Sequence, residues 1–525
     1  MTASHDIVIV GAGQNGLTAA AYLARCGVSV MVLEQHDDVG GGAVSKELTL
    51  PGFVHDVHAT GIAHLQAHPI VTHDELELLS KHGLEFIYPG ISFMTLFDDG
   101  ETIACYRDLD RTCAEIARYS QADADAYRRM AQFMGQIGPM IGMAMNRPAP
   151  SYAAFVGMLE QLPVGRELLL ATLKSAYDVC VENFEHPRVR IHFLKWAAEA
   201  LCAPEEKTTG INMFFLIGAS HSAPAGLVKG GTQQLSNAIR ASAEANGATF
   251  RCGAEVRRVI NSGGTARAVE LADGEVIEAR KAVIASIHPH LLGEMVGGLD
   301  SELVARAKAA QSSSFAEMVV HAAMSERPAW ICGDAPHDAL GVNLVDSMEM
   351  ETFRRAFDDM RYGDIPQSFM GHVAVHTNLD PSRAPNGQHT LYAIKLVPFH
   401  LRGGAERWDE IKEEQADRNI ADLARYAPNV PDAILGRHVD SPLDMQRWSP
   451  SFQNGDIMGL GSYIFQMLGM RPTPELAQYR VPGAEGLYLC GPFMHPGGGI
   501  TGGGRPVAMK LMDDLGVDYG KVIQV

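Results

Sequence analysis

The sequence predicts an α/β fold: a parallel, doubly wound sheet assembled from separated stretches of chain, with an α+β domain inserted between them. Three observations carry this. A continuous apolar run, residues 7–10, opens the chain and ends in glycine. Two further glycine-rich stretches, near 226–235 and 486–505, adjoin strand-like runs far downstream. The 525 residues exceed one ordinary domain. Composition agrees, with 46% hydrophobic and 20% charged residues, enough for a sizeable core. The net charge of −19 argues against a nucleic-acid partner, which would need concentrated Lys and Arg.

Residues 7–10 (Ile-Val-Ile-Val) read as a strand buried on both faces. Gly11-Ala-Gly13-Gln-Asn-Gly16 follows, then Leu17, Ala20, Ala21, Leu23 and Ala24 at helical spacing. Gly27 stops that helix, and a second strand over 28–33 ends at Glu34. In this G-x-G-x-x-G context, Gly11 permits the tight turn, Gly13 lets backbone approach a pyrophosphate, and Gly16 lets helix pack on strand. The helix N-terminus would hold phosphates without Lys or Arg, and Glu34 would accept hydrogen bonds from a ribose. This predicts a Rossmann-like, dinucleotide-binding domain.

The glycines after Glu34, Gly40-Gly41-Gly42, favour FAD over a nicotinamide cofactor, because such a doublet supports the extended flavin in glutathione-reductase-like proteins. Downstream, Gly226 to Leu235 leads into an amphipathic helix to about Ala245. Alternation over 254–260 and 268–277, with a turn at 262–264 between them and an Asp273-Gly274 turn inside the second run, predicts strands and a hairpin, and 282–286 a further buried strand. Near the C-terminus a short strand at 487–490 runs into Gly491-Pro492…His495-Pro-Gly-Gly498-Gly499-Ile500-Thr501, with a helix over about 501–515. Its loop amides could face the pyrimidine side of the flavin.

Together these motifs, with Lys229-Gly230-Gly231 and the tract Met470-Arg471-Pro472…Tyr479-Arg480-Val-Pro482, resemble the phytoene dehydrogenase-like family of FAD-dependent oxidoreductases. That group holds carotenoid desaturases, carotene ketolase-like proteins and pyridine nucleotide-disulphide oxidoreductase domain proteins. The resemblance implies non-covalent FAD and an FAD-binding domain made of 1–75, 226–295 and 471–525. The substrate or cap domain would then be 76–225 and 296–470. Carried over by position, Gly11, Gly13 and Gly16 meet the pyrophosphate, Glu34 the ribose, Gly41 and Gly42 support the flavin, and Val256 meets the adenine. Gly491 and Pro492 lie by the ribityl chain, and Gly498, Gly499, Ile500 and Thr501 by the ring. Two positions depart from the pattern: Ala43 replaces the Arg expected after the glycine run, and Pro492 replaces a common Asp.

The resemblance makes His58 a candidate for facing substrate, and His495 lies in the loop at the flavin. Both are catalytic candidates, with a loop-ordering role as the alternative for His495. The histidines between 55 and 73 match no compact ligand spacing, so no metal is expected. Eight scattered cysteines without a C-x-x-C pair point to reduced thiols, a cytoplasmic setting and no redox-active dithiol. No leader is expected, nor a spanning helix; the nearest apolar stretch, 133–145, is short and contains Gln136 and Pro139. Peripheral membrane contact and oligomeric state stay open.

The expected activity is dehydrogenation (desaturation) or isomerisation of an apolar, polyene- or terpenoid-like substrate by hydride transfer to flavin. With no second nucleotide fingerprint in the sequence, oxygen or a quinone is the expected electron acceptor. A flavin amine or alcohol oxidase, and an FAD-binding scaffold with little turnover, are the alternatives.

Overall fold

A computed structural model describes residues 5–162 and 165–523. Two seven-stranded sheets organise it. The first has a parallel core in which Thr249–Arg251, Val30–Leu33, His5–Val10 and Val276–Ala285 lie side by side, with Leu487–Leu489 beside the last. In chain order these are strands 3-2-1-4-5, the open order of a Rossmann-like fold, whose ligand crevice lies where the order reverses. Here that point falls between the carboxyl ends of His5–Val10 and Val276–Ala285, paired Val10 to Ala285. The sequence-predicted α/β class is therefore the observed one.

One expected pair of strands is a single element. The second hairpin strand and the run 282–286 form one ten-residue strand, Val276–Ala285. Its first half pairs antiparallel with Thr265–Leu271, which pairs in turn with Val256–Ser262. Its second half enters the parallel core. The exposed Glu278, Lys281 and Arg280 hide the continuity, because only the last part is buried on both faces.

The helix Gln14–Arg25 packs against the first strand and against Gly504–Leu515. The approach is closest at Gly16, where an added Cβ would stand 2.2 Å from the Gly11 carbonyl oxygen. The C-terminal helix starts at Gly504, three residues later than expected, so the Gly-rich loop is longer.

The second sheet, in order Ile434–Asp440, Ala316–Met324, His389–Val397, Met370–Ala374, Val342–Val345, Ile91–Phe97 and Thr102–Tyr106, is mostly antiparallel. Ala316–Met324 and His389–Val397 are buried almost throughout, so they lack the alternation of half-exposed strands. One face packs on helices such as Gln121–Met145 and Pro187–Ala198, and the other on Trp408–Ala424, whose Trp408 and Leu423 are buried. The charged helix Trp408–Ala424 thus buries one side, including Trp408, Ile420 and Leu423. No helix among the described residues is long and apolar enough to cross a membrane.

A buried ion network ties the sheets together. Arg383, fully buried, donates to Asp56 Oδ2 at 2.7 Å, to Asp380 Oδ2 at 3.1 Å and to the Val228 carbonyl at 2.5 Å. Asp56 also accepts from the Thr232 amide and hydroxyl and from Ser45, and Asp380 accepts from the Gly230 amide at 2.6 Å. Burial opposes ionisation of Asp56, but Arg383 and these donors hold its carboxyl below the usual range.

Removing one side of this network leaves a buried charge unmatched. Arg383→Met is expected to lower stability by about 3–5 kcal/mol. Asp56→Asn with Arg383→Met should recover part of that loss, because neither variant partner is charged. Urea unfolding of the two variants measures it.

Candidate functional site

One cavity of about 640 Å³ opens at the switch point of the first sheet and extends to the face of the second. Gly11, Gly13, Gly16, Glu34, Gly41, Gly42, His58, Val256, Gly491, Pro492, Gly499 and Ile500 all line it. Thirteen cofactor positions and two histidines were expected, and most therefore converge although the chain separates them widely. Gly498, Thr501 and His495 are not among the lining residues. Gly498 backs onto Met458, whose carbonyl oxygen lies 2.4 Å from where a Cβ would be, and Thr501 donates to the Gly497 carbonyl at 3.3 Å.

The residues fit a pyrophosphate-bearing nucleotide. Gly13 caps the helix Gln14–Arg25 with no side-chain bond, so the amides of its first turn have no side-chain acceptor. A Cβ on Gly41, at φ 61°, would stand 2.9 Å from Gly13 Cα, so two backbones close one wall without side chains. Glu34 is fixed from both oxygens: Oε2 accepts from the Ala12 amide at 2.7 Å and Oε1 from the His36 amide at 3.0 Å. A carboxylate held this way, at the rim of the cavity, is pre-oriented for ribose hydroxyls. The Pro492 carbonyl accepts from Arg471 Nη2 at 2.8 Å. Arg471 is itself wholly buried among carbonyls, and burial lowers its pKa to about 10.

His58 sits where the two sheets meet. It is 7% exposed, and neither ring nitrogen has a hydrogen-bond partner among the described residues. Trp448 and Phe452 meet its ring edge-on, with centroids 5.6 and 5.2 Å away. Its backbone carbonyl accepts from the Tyr392 hydroxyl at 3.0 Å, which joins this turn to the second sheet. Burial pulls the ring's pKa down to about 4, so it is neutral at pH 7. His495 takes another role in space: its Nε2 meets the Ala144 carbonyl at 3.1 Å, at the end of helix Gln121–Met145. Burial lowers its pKa to about 4 as well.

The remaining histidines of the 55–73 run scatter. His55 pairs with Thr49 at 2.8 Å and packs on His321, His64 lines the cavity, and His68 accepts from the Ile70 amide at 3.0 Å.

Several lining residues escaped the sequence reading. Trp448 and Phe452 reach back over the nucleotide side: Trp448 stacks on His36 and donates to the Gly41 carbonyl at 3.4 Å. Nothing in their local sequence marks this, since it comes from long-range return of the chain. Ser286 ends a predicted strand at its carboxyl end, where the switch-point rule made its place at the ligand crevice legible. Glu199, Glu317, His372 and Tyr392 line the second-sheet end. Their signal is a polar side chain inside an apolar run, as in Ala316–Met324.

Comparisons with known proteins agree with this geometry. The model of a family described as flavin containing amine oxidoreductase matches residues 16–503. Pyridine nucleotide-disulfide oxidoreductase domain-containing protein 2 of Mus musculus is 28% identical, over 97% of this chain and 94% of its own. One of the subunits of limonene dehydrogenase from Castellaniella defragrans is 27% identical, over 98% and 95%. All-trans-zeta-carotene desaturase of Myxococcus xanthus is 26% identical, over 94% and 90%. Among solved structures, putrescine oxidase bound to putrescine has a TM-score of 0.61 at 19% identity, covering 98% of this chain and 99% of that one, which shows a shared fold.

Glu34→Gln is expected to weaken FAD binding by about tenfold, the loss of one charge-assisted contact. Gly16→Val should abolish it by forcing helix from strand. The ratio of flavin to protein absorbance after purification reads both.

Proposed function

We propose that this chain, which belongs to the flavin-containing amine oxidoreductase family, removes hydride from a C–H bond of an apolar substrate and so dehydrogenates or isomerises it. At the coarser level it is an FAD-dependent oxidoreductase. The observation that carries the finer reading is the single cavity. The glycine-rich nucleotide loops share this cavity with the apolar Ile394, Phe452, Ile457 and Met458. Relatives named for a terpene and for a carotene, similar along nearly their whole length, support the same substrate class.

FAD, when bound, would supply the two-electron acceptor for hydride, with oxygen or a quinone as the expected final acceptor. The protein's own residues bind, orient and exclude water. The uncapped helix N-terminus at Gly13 to Gly16 and the amides around it match the pyrophosphate charge. Glu34 holds the ribose end, and Val256 offers backbone to the adenine. Phe452, Ile457 and Met458 press an apolar skeleton into place and keep the reacting carbons dry. His58, neutral and unpartnered, faces that skeleton and can accept a proton at Nδ1 or Nε2. Loss of hydride from one carbon and of that proton from its neighbour leaves a C=C bond.

Anaerobic mixing of the purified flavoprotein with matched hydrocarbons, alcohols and amines tests the reading: hydrocarbons should bleach the flavin. Bleaching by amines alone would overturn it. His58→Ala should lower kcat by about a hundredfold with flavin still bound. The wild-type kcat on a hydrocarbon should stay level on acidification through pH 6.5 and fall only towards about 4, where the buried ring gains its proton. A fall centred near 6.5 would remove His58 from the role.

A further inference from the structure

A carboxyl group faces the cavity from an otherwise apolar stretch of the second sheet. Glu317, on Ala316–Met324, lies on the same face as Val319 and opposite Leu396 of His389–Val397. It is 5% exposed, lines the cavity, and makes no hydrogen bond to any described residue. A polar group so placed is costly unless something occupies the space in front of it. The neighbouring charges do not fill that need. Glu199, which also lines the cavity, forms an ion pair with the fully buried Lys195 one helical turn earlier. Asn343, with its amide nitrogen turned to Glu199 Oε1 at 3.2 Å and His372 Nδ1 at 3.0 Å, ties that pair to the sheet. The Lys195 ammonium is therefore committed to Glu199.

We propose that Glu317, acting as a protonated acid, anchors a single uncharged oxygen function, a hydroxyl or carbonyl, at one end of an otherwise apolar substrate. This rests on the reading that an apolar molecule is oxidised in the cavity, and it adds what that molecule carries. A neutral carboxyl donates through its O–H and accepts through its C=O, which matches a hydroxyl in both directions. An ammonium ion would instead call for the carboxylate. Burial, and then the charge of Glu199, oppose that form and push the Glu317 pKa up to about 8, with Lys195 offsetting only part. The other titratable groups facing it are fixed near neutrality: burial keeps His372 uncharged and Tyr392 protonated. The sign follows. Donation by the acid O–H is at full strength well below about pH 8 and is lost as pH rises through it, leaving a carboxylate that can only accept.

Calorimetric titration of the dithionite-reduced holoenzyme, in which no turnover occurs, tests this with limonene, perillyl alcohol and perillyl amine. These share one carbon skeleton with no polar head, a hydroxyl or an ammonium. The alcohol should bind about tenfold more tightly than the other two. Glu317→Gln, which keeps a neutral donor and acceptor, should retain alcohol affinity within about threefold and lose its pH dependence. Glu317→Leu should lose about tenfold for the alcohol and nothing for the hydrocarbon. A preference for the amine that Glu317→Gln abolishes would overturn the proposal, as would equal loss of alcohol and hydrocarbon in Glu317→Leu. If the wild type binds none of the three, the apolar-substrate reading fails by itself. The infrared difference between wild type and Glu317→Gln at pH 7 then tests the acid form separately: an acid carbonyl band supports the protonated Glu317 that the anchor requires, and a carboxylate band overturns the anchor.

Discussion

The buried guanidinium of Arg383 is the constraint on which the arrangement depends. It reaches Asp56 from the first glycine-rich segment, the Val228 carbonyl from the second and Asp380 from its own turn. Each of these stretches lies far from the others in sequence, and each contributes to the wall or support of the cavity. Hydrophobic contact alone would bring them together without fixing their register, since apolar surfaces slide at little cost. A buried charge tolerates no such slippage, because every small displacement strips it of a partner. What the network contributes is therefore specificity of assembly more than net stability. Arg505 and Glu75, paired and buried at the far side of the first helix, act in the same way between the C-terminal helix and the loop near residue 75.

With the segments locked, the cavity divides into two electrostatic regimes. At the first sheet the field is positive without any required cation, since it comes from a helix end and from amides that only glycine leaves accessible. The overall charge of −19 is thus no obstacle to an anionic cofactor. At the second sheet, burial suppresses charge: His58 and His372 are held neutral, and Glu317 is held towards its acid form. A site that binds a doubly charged pyrophosphate at one end is close to uncharged at the other.

Much of the first sheet was legible in the sequence because its signals are local. Gly11, Gly13, Gly16 and Glu34 fall within one strand–helix–strand unit, and each is required by a turn, an approach or a bond formed there. Glycine clusters at 226–231 and 491–499 repeated the theme strongly enough to predict a discontinuous assembly. The second sheet was not legible in the same way. Its central strands are buried on both faces, so Ala316–Met324 offers no alternation, and its partners lie tens to hundreds of residues away. Trp448 and Phe452 fail for the same reason: only the tertiary fold brings them back over Gly41 and Gly42. His495 shows a different limit. Its position in the loop was right, but loop position does not fix which way a ring points, and the Ala144 carbonyl claims it.

The two ends of the cavity also differ in what they permit. At Gly16 and Gly41 an added carbon would collide with backbone, so those positions cannot change without moving a helix or a loop. At Glu317 the carboxyl makes no hydrogen bond to a described residue, so a substitution there alters the lining and breaks no bond, whereas Tyr392 is tied to the His58 carbonyl and His372 to Asn343. A flat sheet face places such positions side by side: His372 registers with Ile394, and Ile394 with Val319, two residues from Glu317. Polarity can therefore be moved along the wall in steps of one strand, or of two residues along a strand, at small cost to stability. The nucleotide end fixes the chemistry, and the sheet end is where the choice of substrate is free to vary. In this chain a lone neutral acid sets that choice.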